Sequence, residues 1–248
     1  HGMGELHLRV ILERLKQRYH VEVDTKPPKI AYRETIVGKA EGHHRHKKQS
    51  GGAGQFGEVY LRVEPLERGA GFEFVDGTFG GSIPQQFIPA VEKGVRQVMQ
   101  AGAIAGYPMQ DIKVEVYDGK HHPVDSKEVA FITAGKRAFV DAVQKARPVL
   151  LEPCVVIEVT VPNQHMGDIT GDLSSKRGRI QGTDMLAGDQ ATIRAVVPLA
   201  EVNNYQNQLK SVTGGQGTFA MELSHYEPVP SNVQEQIVAA YKPHEDED

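Results

Sequence analysis

The stretch from Val155 to Tyr226 limits the possible folds more than any other. Its apolar residues alternate through Val155–Val161, recur at helical spacing through Gln164–Ser174, and alternate again in Arg179–Met185 and Gln190–Val197. They return to helical spacing in Leu199–Ser211 and end alternating in Gly217–Tyr226. Period two marks a half-buried strand and period 3.6 an amphipathic helix. A βαββαβ order predicts the ferredoxin-like plan, a four-stranded antiparallel sheet with both helices on one face.

The remaining chain reads as a second α+β unit with helical ends. ELHLRVILERLKQRY sets Leu8, Ile11, Leu12 and Leu15 on one helical face, and HVEV continues as a strand. Two prolines in DTKPPK forbid regular structure and place a boundary near residue 26. Strands follow at Ile30–Val37, EVYLRVEPL, GFEFVD and MQDIKVEVYDG. Helices are expected in SIPQQFIPAVEKGVRQVMQAG and VDSKEVAFITAGKRAFVDAVQKA. The second should turn Val129, Ile132, Phe139, Val140 and Val143 inward, with Asp125 and Glu128 spaced as a capping box. RPVLLEPC marks a second boundary. A last helix, SNVQEQIVAAY, has box spacing at Ser231 and Gln234 and an apolar face of Val233, Ile237 and Tyr241. HEDED reads as a disordered acidic tail.

Composition excludes several classes. The 248 residues suit one large or two ordinary domains, and with 6% aromatics and no tryptophan the cores should be aliphatic. A net charge of -4 argues against a wholly basic coat, so any polyanion binding must come from local patches. One cysteine, Cys154, permits no intrachain disulfide and fits a reducing cytoplasm. No apolar run approaches a membrane span of ~20 residues. The chain opens inside a helical pattern without an initiator methionine, as a piece of a longer protein would.

Local patches exist. HHRHKKQSGGAGQFG, residues 43–57, packs three histidines and three cations into six residues before a glycine run. As a loop or strand end it would point His43, His44 and His46 apart, against the tetrahedral convergence zinc needs. A metal-dependent hydrolase on these histidines is therefore the minor alternative, and a solvated charged loop is the plain one. A phosphate-binding P-loop requires Lys and then Ser or Thr after the last glycine, whereas Gln55 and Phe56 follow Gly54, and Arg137 follows Lys136 in ITAGKRAF. A second loop, DGKHHPVDSK, offers Lys120, His121, His122 and Lys127 ahead of a helix N-terminus. If both loops share one end of a domain they form a cationic tip suited to irregular RNA. SSKRGR adds Lys176, Arg177 and Arg179. Gly167 and Gly171, four apart on the preceding helix, suit either close packing on the sheet or a contact surface. No catalytic triad or carboxylate pair stands out.

The segments GMGELHL, QSGGAGQFGEV, ERGAGFEF, IPAVEKGV, AGYP, HPVDSKEVAF, PVLLEP, MGDITGDLSSKRGRIQG, VPLAEV and GGQGTFAMELSHYEPVP, in this order and spacing, resemble the elongation factor G family across nearly the whole chain. The resemblance implies a multi-domain α+β architecture. Residues 1–26 would end the third domain, 29–150 form an elongated βαβ-containing fourth (arm) domain, and 154–228 a fifth, ferredoxin-like domain. Residues 229–248 would supply the C-terminal helix packing back on the arm, and the acidic tail. It implies a non-catalytic, ribosome-binding part of a cytoplasmic, monomeric translational GTPase, with GTP and Mg held by a GTPase domain absent from this chain. The arm tip would enter the decoding site and promote movement of tRNA and mRNA. The tip residues would be Arg45, Lys47, Lys48, Ser50, Gly51, Gly52, Ala53, Gly54, Gln55, His121, His122, Val124 and Asp125. Lys176, Arg177 and Arg179 would face ribosomal RNA of the large subunit. Ala53, Pro123 and Lys127 depart from the family's common tip, which sets a paralogue specialised in ribosome recycling or protection beside the translocase.

Overall fold

Valine-rich alternation builds both sheets of the protein, seen in a computed structural model that describes residues 5–24, 29–48 and 54–242. The chain divides into two units, one of His1–Ile30 with Pro153–His225 and one of Ala31–Glu152 with Tyr226–Asp248.

The second of these holds a four-stranded sheet ordered β2 (Ala40–Lys48), β3 (Gln55–Pro65), β5 (Ile112–Lys120), β4 (Phe72–Asp76). The first three are antiparallel; β4 runs parallel to β5, and the crossover such a pair requires is α2 (Ile88–Ala101). Val59, Leu61 and Val63 of β3 and Ile112, Val114 and Val116 of β5 are fully buried beneath α2 and α3 (Glu128–Lys145). Helix α3 buries Phe131, Ala134, Ala138, Phe139, Ala142 and Val143, while Val129 is exposed, one position off the expected face. The expected capping box is absent too: Lys127 caps α3 without a side-chain bond, and Asp125 bonds Gly54 instead.

A short strand β1 (Arg33–Ile36) pairs antiparallel with the start of β6 (Pro148–Pro162). Glu34 on β1 is fully buried, and its carboxylate accepts four backbone N–H bonds from the loop after α2. The C-terminal helix α6 (Ser231–Ala240) returns to this unit, packing Val233, Ile237 and Val238 around Val229, Leu150 and Ala105. Gln234 closes no capping box; its side chain bonds Leu150 N–H and the Pro148 carbonyl, occupying backbone groups of β6.

In the other unit the strand order β9 (Thr218–Pro228), β6, β8 (Gln190–Pro198), β7 (Arg179–Leu186) is the ferredoxin-like one. Ile157 opposes Ala195 and Val159 opposes Ile193, so one sheet face is apolar. Onto it α4 (Met166–Ser175) brings Ile169 and Leu173, and α5 (Tyr205–Thr213) brings Tyr205 and Leu209. Gly167 and Gly171 are not packing glycines, since a Cβ on either would meet nothing within 4 Å. The first helix, α1 (Glu5–Tyr19), ends before HVEV, which forms no strand among the described residues; His20 N–H and Val21 N–H instead donate back to the Lys16 and Leu15 carbonyls of the helix.

Candidate nucleic-acid interface

The basic run folds as strand, not loop. Pairing with β3 opposes His43 to Tyr60, Arg45 to Glu58 and Lys47 to Phe56. Odd residues of β2 therefore lie on the sheet face away from α3, while Gly42 meets the backbone of that helix. Lys47 and Lys48 end the strand exposed, with no ion-pair partner among the described residues. Ser50, Gly51, Gly52 and Ala53 lie outside the described residues, as does the acidic tail.

The two loops suspected of sharing an end do so. Gly54 N–H donates to Asp125 Oδ1 at 3.1 Å and Phe56 N–H to the Asp125 carbonyl at 2.9 Å. The Ser126 hydroxyl donates to the Phe56 carbonyl and accepts from His122 N–H. His122 Nδ1 lies 3.3 Å and 3.2 Å from the N–H groups of Val124 and Asp125 and 3.3 Å from Asp125 Oδ2. Its ring stands edge-on to Phe56, with centroids 6.3 Å apart. Arg45 lies over the same Phe56 ring, its guanidinium 5.3 Å from the centroid. Gln55 bonds His46 at 3.1 Å, and Val124 is 73% exposed. His121 reaches the Ser82 carbonyl.

Behind the tip sits a buried carboxylate that sequence reading missed. Glu58 is 4% exposed. Burial pushes its carboxyl up, but hydrogen bonds from His43 (2.8 Å) and Tyr60 (3.2 Å), with the charges of Lys120 and Arg45, outweigh this and hold it below the ordinary range. His43 stacks on Tyr60 with centroids 4.1 Å apart. The β2–β3 register sets Arg45 opposite Glu58 and the β3–β5 register sets Lys120 opposite it; a period-two reading of residues 43–48 places His43, Arg45 and Lys47 on one face but says nothing of Glu58.

The three imidazoles of 43–46 do not converge: His43 faces Glu58, His46 bonds Gln55, and His44 lies among Arg137 and Asp141 of α3. This arrangement gives the hydrolase alternative no assembled donor set from these residues. Burial, then Arg137, His46 and His43, lower the pKa of His44 against the opposing pull of Asp141. A folded value below the ordinary 6.5 means the unfolded chain binds the proton more tightly. The His44 contribution is therefore complete above pH ~6.5 and lost as pH falls through the lowered folded value. Denaturant unfolding followed by circular dichroism from pH ~7 to ~5 should show a shallower stability loss in His44→Gln than in the wild type.

Lys176, Arg177 and Arg179 belong to the other unit, at the end of α4 and the start of β7. Lys176 pairs with Asp172, and Arg177, at φ 61°, pairs with Glu201 at 2.9 Å. Lys176 and Arg177 are thus already engaged, unlike Lys47 and Lys48, although partly exposed pairs are worth only about 0–1 kcal/mol and can exchange partners.

Fold and tip define a class: multi-unit α+β proteins with a two-helix-covered mixed sheet ending in basic, glycine-containing loops, followed by a ferredoxin-like unit. Family models match in series along the chain: Elongation Factor G, domain III over residues 1–27, Elongation factor G, domain IV over 28–147, and Elongation factor G C-terminus over 149–237. The chain is 49% identical over 238 residues to elongation factor G of Aquifex pyrophilus, covering 96% of this chain and 34% of that protein. A crystal structure of a Thermus thermophilus protein superposes with a TM-score of 0.81 at 43% identity, over 96% of this chain and 35% of the other. The chain belongs to the elongation factor G family. It spans about a third of the length of the relatives it matches.

Proposed function

We propose that this chain is the ribosome-binding part of a translational GTPase, and that the tip of the unit Ala31–Glu152 enters the decoding site as tRNA and mRNA move. The observation that carries this reading is the joining, through Asp125, of the start of β3, which follows the basic strand β2, to the basic loop after β5 some seventy residues further on. Residues 1–26, 29–150, 154–228 and 229–248 then correspond to the end of a third domain, the arm, the fifth domain, and the C-terminal helix with its tail. Arg45, Lys47, Lys48, Ser50–Gln55, His121, His122, Val124 and Asp125 form the RNA-facing tip. Lys176, Arg177 and Arg179 face ribosomal RNA of the large subunit. The protein acts in the cytoplasm as a monomer; no helix among the described residues is long and apolar enough to cross a membrane.

GTP and Mg belong to another part of the parent protein. Among the described residues the Gly135–Lys136 pair does not fit them: both lie inside α3, where a Cβ on Gly135 would come 2.9 Å from the Val91 carbonyl of α2. That glycine serves a helix crossing and cradles no phosphate. The tip itself needs no covalent chemistry. Its side chains supply charge and shape, and the Asp125 bonds to Gly54 and Phe56 fix the described backbone at the start of β3 and in the loop after β5, which lowers the ordering cost there at the moment of contact.

Binding to the phosphate backbone is salt-dependent. Replacing Lys47 and Lys48 together by alanine should weaken ribosome binding of the full-length parent and lower the slope of log affinity against log salt by about 2. An unchanged slope would refute the reading. His122→Ala in single-turnover translocation separates the translocase from a recycling or protecting paralogue: the translocase reading requires the rate to fall at least about tenfold, the scale of a loop held in the wrong geometry.

A further inference from the structure

A third loop joins the tip, and nothing in the sequence pattern points to it. It runs from Gly77 to Pro84 between β4 and α2. Because β4 is parallel to β5, Asp76 lies beside Val116 and the chain leaves β4 at the end where β5 delivers Lys120, His121 and His122. Two contacts hold the loop there: the Ser82 carbonyl lies 3.3 Å from His121 Nδ1, and Ile83, 1% exposed, packs against Gly119.

The loop is built rather than slack. Asp76 Oδ1 accepts from the Thr78 N–H at 3.0 Å and hydroxyl at 2.7 Å, and Oδ2 accepts from Gln85 at 3.1 Å. The Thr78 hydroxyl bond, against a smaller effect of burial, keeps the Asp76 carboxyl below its ordinary range. Gly77 N–H donates to the Val116 carbonyl at 2.8 Å. Gly80 and Gly81, at φ 67° and 72°, turn the chain where a side chain would be strained. At the crest stands Phe79, 92% exposed, the most exposed of the large apolar residues described.

A phenyl ring held in water by an ordered loop forfeits its burial in the free protein. The groups at this end of the sheet restrict what would cover it: Lys120 offers a charge to a phosphate, and the His121 and His122 imidazoles offer hydrogen-bonding groups, so a base for the ring and a phosphate for the lysine fit together. We infer that Phe79 stacks on an unpaired nucleobase of the RNA that the tip contacts, making the Gly77–Pro84 loop a third RNA-binding element. This rests on the RNA-facing reading of the tip.

The test is equilibrium binding of the full-length parent to programmed ribosomes across a salt series. Phe79→Ala should weaken binding about five- to hundredfold, the range seen when one base loses its aromatic partner. It should leave the salt slope unchanged, because no charge is removed. Phe79→Tyr should bind as the wild type and Phe79→Leu as the alanine variant. If Phe79→Leu binds like the wild type, the ring meets an apolar protein surface and the stacking inference falls. If the Lys47/Lys48 variant loses affinity while Phe79→Ala does not, the third element falls and the proposed function stands. If neither variant loses affinity, both fall. If only the Phe79 variants lose affinity, with leucine no better than alanine, stacking stands and the phosphate-binding role of the lysines falls. The exposure of Phe79 makes all three variants fold, which circular dichroism verifies.

Discussion

Replacing Glu34 by alanine should destabilise the unit of Ala31–Glu152 and Tyr226–Asp248 by about 3–5 kcal/mol, the loss typical of breaking a buried charged network. Glu34 is fully buried. One carboxylate oxygen accepts from Ala103 (2.6 Å) and Ile104 (3.0 Å), the other from Ala105 (2.8 Å) and Tyr107 (3.0 Å). Alanine would leave four donors facing a void, and each unsatisfied buried group costs about 1–3 kcal/mol before relaxation admits water. Glutamine is nearly isosteric, yet it would turn one acceptor into a donor aimed at two donors, so Glu34→Gln should recover less than half of the loss. Guanidinium unfolding followed by circular dichroism should move the transition of this unit to lower denaturant and leave the other unit's transition in place. A loss below about 1 kcal/mol would mean that the 103–107 loop finds its hydrogen bonds elsewhere.

Gly42→Ala should be nearly as damaging and should reach the tip. At Gly42 the strand β2 meets the backbone of α3: a Cβ would collide with the Ala138 carbonyl and stand 2.6 Å from the Ala142 nitrogen. Backbone cannot rotate away as a side chain can, so the cost should lie at or above the top of the overpacking range, about 3 kcal/mol. The strand must lift from α3 or slip, and β2 is what carries Arg45, Lys47 and Lys48 to the tip. We expect Gly42→Ala to lose both stability and salt-sensitive ribosome binding, whereas the lysine variants lose only the second. Gly171→Ala is the control: α4 leaves open space there, and alanine should stabilise that helix by up to about 1 kcal/mol. A Gly42→Ala protein of wild-type stability would show that β2 and α3 can separate without loss.

The parts legible in the sequence are those governed by local pattern. Alternation at Val155–Val161 and Gln190–Val197 announced two neighbouring strands, because a side chain that points to one face in water's absence must be apolar whatever its partner. The helical repeats of α2 through α5 carried the same information, and the glycine and proline punctuation marked their ends. Failures fall where a partner decides. Asp125 and Glu128 have the spacing of a capping box, yet Gly54, distant in sequence, takes the Asp125 carboxylate. Gln234 likewise bonds β6 instead of its own helix. The alternation of HVEV had no neighbouring strand among the described residues to convert it into sheet.

The candidate site divides the same way. Its residue types were readable, since cations, imidazoles and glycines in two short stretches are a matter of composition. Its geometry was not. The register of β2 on β3 set Glu58 beneath His43 and Arg45, and the parallel pairing of β4 with β5 brought Phe79 to the same end as His121 and His122. By itself the sequence determined which segments are strands and helices, and which loops carry charge, because those properties depend on residues a few positions apart. Tertiary structure alone decided which loops meet, which charges are neutralised and which glycine cannot change. Those depend on contacts between residues separated by tens of positions, and no local pattern records them.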